Sequence, residues 1–322
     1  MKKTLLSTAI LSAALAIGVS TAQANDFPSK PLTLVVGFGA GGSTDIQARV
    51  LANVLEEELG QPVNVVNQPG AGGGVALTRL ASNRDEGYTF AFGTSMTITY
   101  GPLATETAYQ LDDFRYVAGV TLGQSAIVTG EGRPFGDSWE SLVEYARENP
   151  GTTYATQTAL DRMIIEYIAQ KEDLELRIVP TAGGAGMAPL ILSGDVDFAY
   201  SGGTHSGYAE SGEMPVLLSL AEERLVAFPD APSMKEAGYD INPAEIRVVM
   251  VPKNTPDAHV ERLAEALEAA TQDERFIEIT EERILMPVVY LPEEEVTQTL
   301  IAQSESYKAL LEELGGVPGA DE

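Results

Sequence analysis

Residues 32–36 read Leu-Thr-Leu-Val-Val, a short β-branched run that stops at a glycine cluster, the pattern of a strand buried on both faces. Ile46, Val50 and Val54, with Leu51, Leu55 and Leu59, then recur at helical spacing. Ser43, Thr44 and Asp45 can cap that helix, and Gly60 with Pro62 ends it. A strand over 63–66, a helix over 75–83 and a strand over 88–92 follow, so the alternation predicts a parallel α/β sheet. The series then restarts. A strand-like stretch over 116–128 leads to a helix over 139–148, capped by Asp137-Ser138 and stopped by Asn149-Pro150-Gly151. Next come a strand over 152–156, a helix over 161–170, a strand over 176–179, a helix over 187–192 and a strand over 196–200. Beyond them lie a strand over 248–251, a helix opened by Thr255-Pro256 and a long helix over 293–314, with no further βαβ series. Two series predict two α/β lobes: 25–122 completed by 248–322, and 123–247.

The first 24 residues read as an address. Lys2 and Lys3 precede an apolar run over 5–19, and Ala22-Gln23-Ala24 has the small-x-small form of a signal peptidase site. The run is shorter than the ~20 residues needed to span a bilayer. A secretory signal over 1–24 and a periplasmic mature chain are expected.

Charge and composition then remove whole classes of function. Asp and Glu number 47 against 20 Lys and Arg, a formal charge of -27, so nucleic acid and anionic membrane surfaces are repelled. The lack of cysteine excludes thiol catalysis, thiolate metal sites and lipid anchoring. His205 and His259 are the only histidines, a poor supply for metal or triad chemistry, and no metal or cofactor is expected.

What remains is a set of glycine-rich loops placed after strands. Gly37, Gly39 and Gly42 satisfy G-x-G-x-x-G between a strand and a helix, the setting of a dinucleotide fingerprint. The acid that would hold a ribose hydroxyl is missing, because Asn67-Gln68 ends the second strand. The physical core of the motif survives: glycines admit a ligand to the backbone, and N–H groups at a helix start attract an anion, carboxylate as well as phosphate. Pro69 to Gly74 and Thr181 to Gly186 form comparable loops. Ligands bind at the carboxyl ends of parallel strands, so these loops face one crevice if the lobes oppose each other.

The segments Gly41-Gly42-Ser43-Thr44-Asp45, Leu59-Gly60-Gln61-Pro62-Val63, Pro69-Gly70-Ala71-Gly72-Gly73, Gly194-Asp195-Val196-Asp197 and Pro252-Lys253-Asn254-Thr255-Pro256, in this order, resemble the solute receptors of tripartite tricarboxylate transporters, the Bug-type extracytoplasmic receptors. The resemblance covers essentially the whole mature chain. It implies a periplasmic-binding-protein fold of the second type, two lobes closing over a small organic carboxylate, and delivery of the ligand to a membrane permease. It places ligand contacts at Phe38, Gly41, Ser43, Thr44 and Asp45, at Ala71, Gly72 and Gly73, and in the second lobe at Gln157, Thr158, Ala182, Gly183 and Gly184. Ser95 and Ser201, each just past a strand, complete the candidates. The second-lobe loop Thr156-Gln157-Thr158-Ala159-Leu160 departs from the family's serine- and glycine-rich pattern, so the resemblance does not carry over which acid is bound.

Each candidate has a plainer reading. Asp45 serves equally as a helix cap, and so do Gln157 and Thr158. Arg162 either forks onto a second ligand carboxylate or pairs with Asp161 or Glu166 on its helix. His205 reads as a solvated loop residue, and Tyr100, Tyr154 and Tyr200 wall the pocket or pack the core. A secreted hydrolase built on Ser43 or Ser95 lacks the G-x-S-x-G elbow and a well-placed histidine. A sensor domain would use the same fold and site. The expected protein is a monomeric, non-enzymatic receptor.

Overall fold

The computed structural model describes residues 27–313 and 316, apart from 209, 222, 226, 242 and 244; the expected signal peptide over 1–24 lies outside the described residues. The chain starts with β1 (Leu32–Val36), α1 (Ser43–Leu59), β2 (Val63–Asn67), α2 (Gly74–Ala81) and β3 (Thr89–Thr94). Two short helices follow, α3 (Ser95–Thr99) and α4 (Gly101–Ala104), then β4 (Phe114–Leu122). It crosses to a second sheet through β5 (Ala126–Thr129), α5 (Trp139–Glu148), β6 (Thr152–Thr156), α6 (Ala159–Glu172), β7 (Leu176–Pro180), α7 (Gly184–Ser193), β8 (Phe198–Ser201) and β9 (Val216–Ser219). It returns by β10 (Ile246–Pro252) and ends with α8 (Asp257–Ala270), α9 (Glu274–Ile277), β11 (Val288–Pro292) and α10 (Glu293–Glu313).

The strand orders are β11-β4-β10-β3-β1-β2 and β7-β6-β8-β5-β9. β1 runs parallel to β2 and β3, and β6 to β7 and β8, but β10 is antiparallel to β3 and β4, and β5 to β8 and β9. The sheets are therefore mixed, not wholly parallel as the βα alternation suggests, because periodicity marks a strand without giving its direction. The apolar stretch over 116–128 is likewise two strands in different sheets. Between them the Gly123 N–H donates to the Glu245 carbonyl at 2.7 Å, so the outgoing and returning segments run in contact. A Cβ on Gly123 would lie 2.5 Å from Glu245 Cβ, and only glycine fits there.

Alternation along β1 sends Leu32, Leu34 and Val36 to one core with α1 and α8, and Val35 to another with α2. In the second sheet Ile127, Tyr154 and Phe198 pack with α5 and α6, while Val128, Ala155 and Ala199 face α7. α10 contributes Val296 and Leu300 to a first-sheet core and Tyr307 and Leu311 to a second-sheet core, where Tyr100 also sits. One helix thus straddles both units. Each fully buried leucine in these cores contributes roughly 1.5–3 kcal/mol.

Candidate functional site

The loop after β1 is shaped by a carboxylate that faces the protein. Asp45, the third residue of α1, accepts hydrogen bonds from the Gly41 N–H at 2.8 Å, Asn67 Nδ2 at 2.9 Å and Arg49 Nε at 3.0 Å. Asn67 Nδ2 also donates to the Phe38 carbonyl at 3.0 Å. Burial opposes ionisation of Asp45, but these donors outweigh it and hold the carboxyl below its ordinary range. Asn67, where a dinucleotide site would need an acid, instead braces the glycine loop. Gly41 has φ +86°, a left-handed conformation that favours glycine. The helix itself starts at Gly42 with no side-chain cap.

The second sheet repeats the device. Asp161, the third residue of α6, accepts from Thr156 Oγ1 at 2.6 Å, Thr158 Oγ1 at 2.7 Å, the Thr158 N–H at 2.5 Å and the Gln157 N–H at 3.2 Å, and Thr158 caps the helix in return. Burial is the largest influence and pushes its carboxyl up to about 6, against donors that favour the charged form. α7 begins at Gly183, φ +95°, again with no side-chain cap.

These two frameworks meet directly. The Gly39 N–H donates to the Ala182 carbonyl at 3.0 Å, and Ser43 Oγ donates to the Gly202 carbonyl at 2.8 Å. Phe38 packs on Gly183, where an added Cβ would lie 3.0 Å from the ring. Between the loops is a narrow cleft with a volume of about 20 Å³. Of the residues singled out in the sequence, Phe38, Ser43, Thr44, Gln157, Thr158 and Gly184 line it. Ala71 and Gly72 line a neighbouring chamber, and Ala182 closes the cleft through its carbonyl.

Others are committed elsewhere. Asp45 and Gly41 shape the first loop, and the buried Gly73, φ +98°, touches Thr97. Ser95 Oγ accepts from the Ile246 N–H at 3.1 Å. Ser201 Oγ meets His205, with the His205 N–H at 3.1 Å and Nδ1 at 2.9 Å. His205 is not solvated, as its loop position suggests, but fully buried against Phe228, and burial pushes its pKa down to about 3. Arg162 pairs with Glu166 at 2.7 Å, the plainer of its two readings. Tyr200 lines the cleft, whereas Tyr154 is core and bonds Asp161 at 3.3 Å.

The residues that sequence reasoning missed are Glu245 and Arg247. Their side chains are 1% and 3% exposed, and both line the cleft. Arg247 donates to Thr44 Oγ1 at 2.7 Å and to the Gly202 carbonyl at 2.6 Å, linking the first helix start to the end of β8. Glu245 accepts from Tyr200 at 3.0 Å and from Ser125. Arg247 Nη2 and Glu245 Oε1 are 3.2 Å apart, yet that contact lacks hydrogen-bond alignment, and Glu245 Oε1 and Arg247 Nε have no hydrogen-bond partner among the described residues. The attraction is Coulombic, and each group keeps unmet bonding capacity. Residues two apart on an extended strand share a face, the one signal in the sequence that pairs them.

Two mixed α/β units with facing glycine loops and a polar cleft at their junction define a two-lobed binding protein of the periplasmic type. The tripartite tricarboxylate transporter family receptor profile matches residues 47–316, and the chain belongs to that family. A curated relative from Bordetella pertussis, one of the UPF0065 proteins, is 31% identical over 284 residues, covering 86% of this chain and 88% of its own length. Among solved structures, the periplasmic binding protein BugD superposes with a TM-score of 0.83 at 24% identity, covering 91% of this chain and 99% of that one. Rpa4515 of R. palustris, solved with adipate, has a TM-score of 0.80 at 25% identity over 91% of this chain and all of its own. MatC of Rhodopseudomonas palustris, solved with bound malate, has a TM-score of 0.78 at 23% identity, covering 87% and 99%. Among the described residues no helix is long and apolar enough to cross a membrane.

Proposed function

We propose that this chain is an extracytoplasmic solute receptor that captures a small organic carboxylate by closing two lobes, 25–122 with 248–322 and 123–247, and delivers it to a tripartite tricarboxylate-type permease. The observation that carries the reading is the convergence on one cleft of two helix starts without side-chain caps, α1 from one unit and α7 from the other, beside the buried Arg247. Uncapped helix starts present N–H groups and the positive end of the helix dipole. They attract an anion locally inside a protein of charge -27. Ser43, Thr44 and Thr158 supply hydroxyls around it. The malate and adipate held by two of the similar proteins belong to the same ligand class.

Ligand capture needs no chemistry from these residues. Ser43 and Ser95, the nucleophiles of a hydrolase reading, bond backbone groups, and neither meets an imidazole among the described residues. The mature chain works as a periplasmic monomer after loss of 1–24. A thermal-shift panel of mono-, di- and tricarboxylates on residues 25–322 tests the reading. A bound acid raises stability by roughly 2.7 kcal/mol at 100 times its Kd and is recovered unchanged. A flat panel from a folded protein, or turnover of the acid, contradicts it.

A further inference from the structure

The fully buried Asp161 carboxyl is bonded directly to Gln157 and Thr158, two residues that line the cleft. Its Oδ1 accepts from the N–H of Gln157 at 3.2 Å, and from the N–H of Thr158 at 2.5 Å and its hydroxyl at 2.7 Å. Its Oδ2 accepts from Thr156 Oγ1 at 2.6 Å and lies 3.3 Å from the Tyr154 hydroxyl. While the carboxyl is charged, the Thr158 hydroxyl proton and both N–H groups point at it and not at an acid in the cleft.

One of these partners has a second acceptor. Thr156 Oγ1 also lies 3.1 Å from the Thr158 carbonyl. A proton on Asp161 Oδ2 can donate to Thr156 Oγ1 while Thr156 turns its own proton to that carbonyl, so the neutral form loses no hydrogen bond. The two N–H groups keep Oδ1 as their acceptor, and the Thr158 hydroxyl is released from a charged partner. Burial favours this form, pushing the carboxyl up to about 6.

The ionisable groups around this site come from several elements. Tyr154 on β6 and Tyr200 on β8 face Asp161, Tyr100 lies across the neighbouring chamber, and Tyr307 of α10 shares the core of Leu160. Burial holds all four phenols above their ordinary range, so they stay neutral. Glu245 and Arg247 of β10 line the cleft with Gln157 and Thr158, and on α6 itself Arg162 pairs with Glu166.

We propose that Asp161 couples ligand capture to proton uptake: an organic acid entering the cleft as an anion draws one proton from solvent onto Asp161 Oδ2. The proposal rests on the carboxylate-receptor reading. An anion beside Gln157 and Thr158 meets a buried like charge, which raises the proton affinity of Asp161. Linkage is reciprocal, so a proton on Asp161 strengthens the hold on the anion, and capture weakens as pH rises.

Calorimetric titration of residues 25–322 in two buffers of different ionisation enthalpy counts the protons. The probes are acetate, malate and each further binding acid of the thermal-shift panel that is itself ionised above about pH 6. A bound anion that raises the proton affinity of Asp161 about tenfold gives an uptake of about half a proton per acid at about pH 6.5, and affinity about fivefold weaker at pH 8 than at pH 6. Asp161→Asn keeps an acceptor for the N–H groups and a donor for Thr156; it is expected to take up no proton and to bind at the higher pH as the wild type does at the lower. Binding by the wild type without proton uptake, or uptake that persists in Asp161→Asn, overturns the coupling and leaves the carboxylate reading standing. Failure of every acid in the panel to bind overturns both.

Discussion

The N–H of Gly39, on the loop after β1, donates to the carbonyl of Ala182, on the loop before α7, at 3.0 Å across the mouth of the cleft. Two loops of opposite units thus touch backbone to backbone, which only small residues permit. A Cβ on Gly39 would sit 3.2 Å from that carbonyl. Gly39→Val is therefore expected to keep the separate lobes folded and obstruct their approach, lowering affinity at least about tenfold while the melting temperature of unliganded protein moves by only a few degrees. Equal affinity in titrations of the two proteins contradicts closure at this contact. Gly184 is a poorer probe, because a Cβ there would lie 1.8 Å from Thr204 Oγ1 within its own unit and strain the fold itself.

Gly42 tests the helix start, although a Cβ there would also lie 3.3 Å from the Ala185 nitrogen across the cleft. Its φ of -79° and ψ of 167° suit any residue, and it caps α1 without a side chain. Gly42→Ser supplies a hydroxyl for the N–H groups that a carboxylate would use, stabilising the unliganded protein by a few tenths of a kcal/mol. Binding is expected to weaken as stability rises. A variant that gains stability and keeps its affinity argues that the α1 start does not hold the anion.

Arg247 and Glu245 are coupled by burial. Arg247→Met strands the Glu245 carboxylate, a loss of about 3–5 kcal/mol. The double variant Arg247→Met/Glu245→Gln is expected to regain most of that stability but not the ligand affinity. Recovery of both in denaturation and binding assays makes the pair purely structural.

Two buried groups give stability opposite dependences on pH. His205, pushed down to about 3 from an unfolded value near 6.5, stays neutral in the fold while the unfolded chain takes up a proton. Stability is thus lost as pH falls from about 6.5 toward 3, by at most about 5 kcal/mol. Asp161, pushed up to about 6 from 3.8, protonates first in the fold, so its own share is lost as pH rises from about 4 to 6, by at most about 3 kcal/mol. His205→Phe is expected to flatten the fall in melting temperature between pH 6.5 and 4, and Asp161→Asn to steepen it. Parallel pH profiles for the three proteins contradict the assignment.

Most regular elements are legible in the sequence because strands of period two and helices of period 3.6 leave separable traces, as for β1 with α1 and β6 with α6. The run Ser95-Met96-Thr97-Ile98-Thr99 does not read as a helix, because β-branched residues lower helix propensity; packing overrides this at α3, whose five residues are all buried. The glycine loops announce the cleft, but the direction of each side chain is set by neighbours distant in sequence. Asp45 looks like a pocket acid until Asn67 and Gly41 are seen to occupy it. Arg247 stays hidden in an apolar strand, since its partners Thr44 and Gly202 lie 203 and 45 residues away.

Small-angle scattering of residues 25–322 during titration with the organic acid that gives the largest thermal shift tests capture by closure most directly. The account predicts that the radius of gyration falls and saturates at one acid per chain in the wild type, and that Gly39→Val fails to compact. Saturable binding with an unchanged radius of gyration contradicts it.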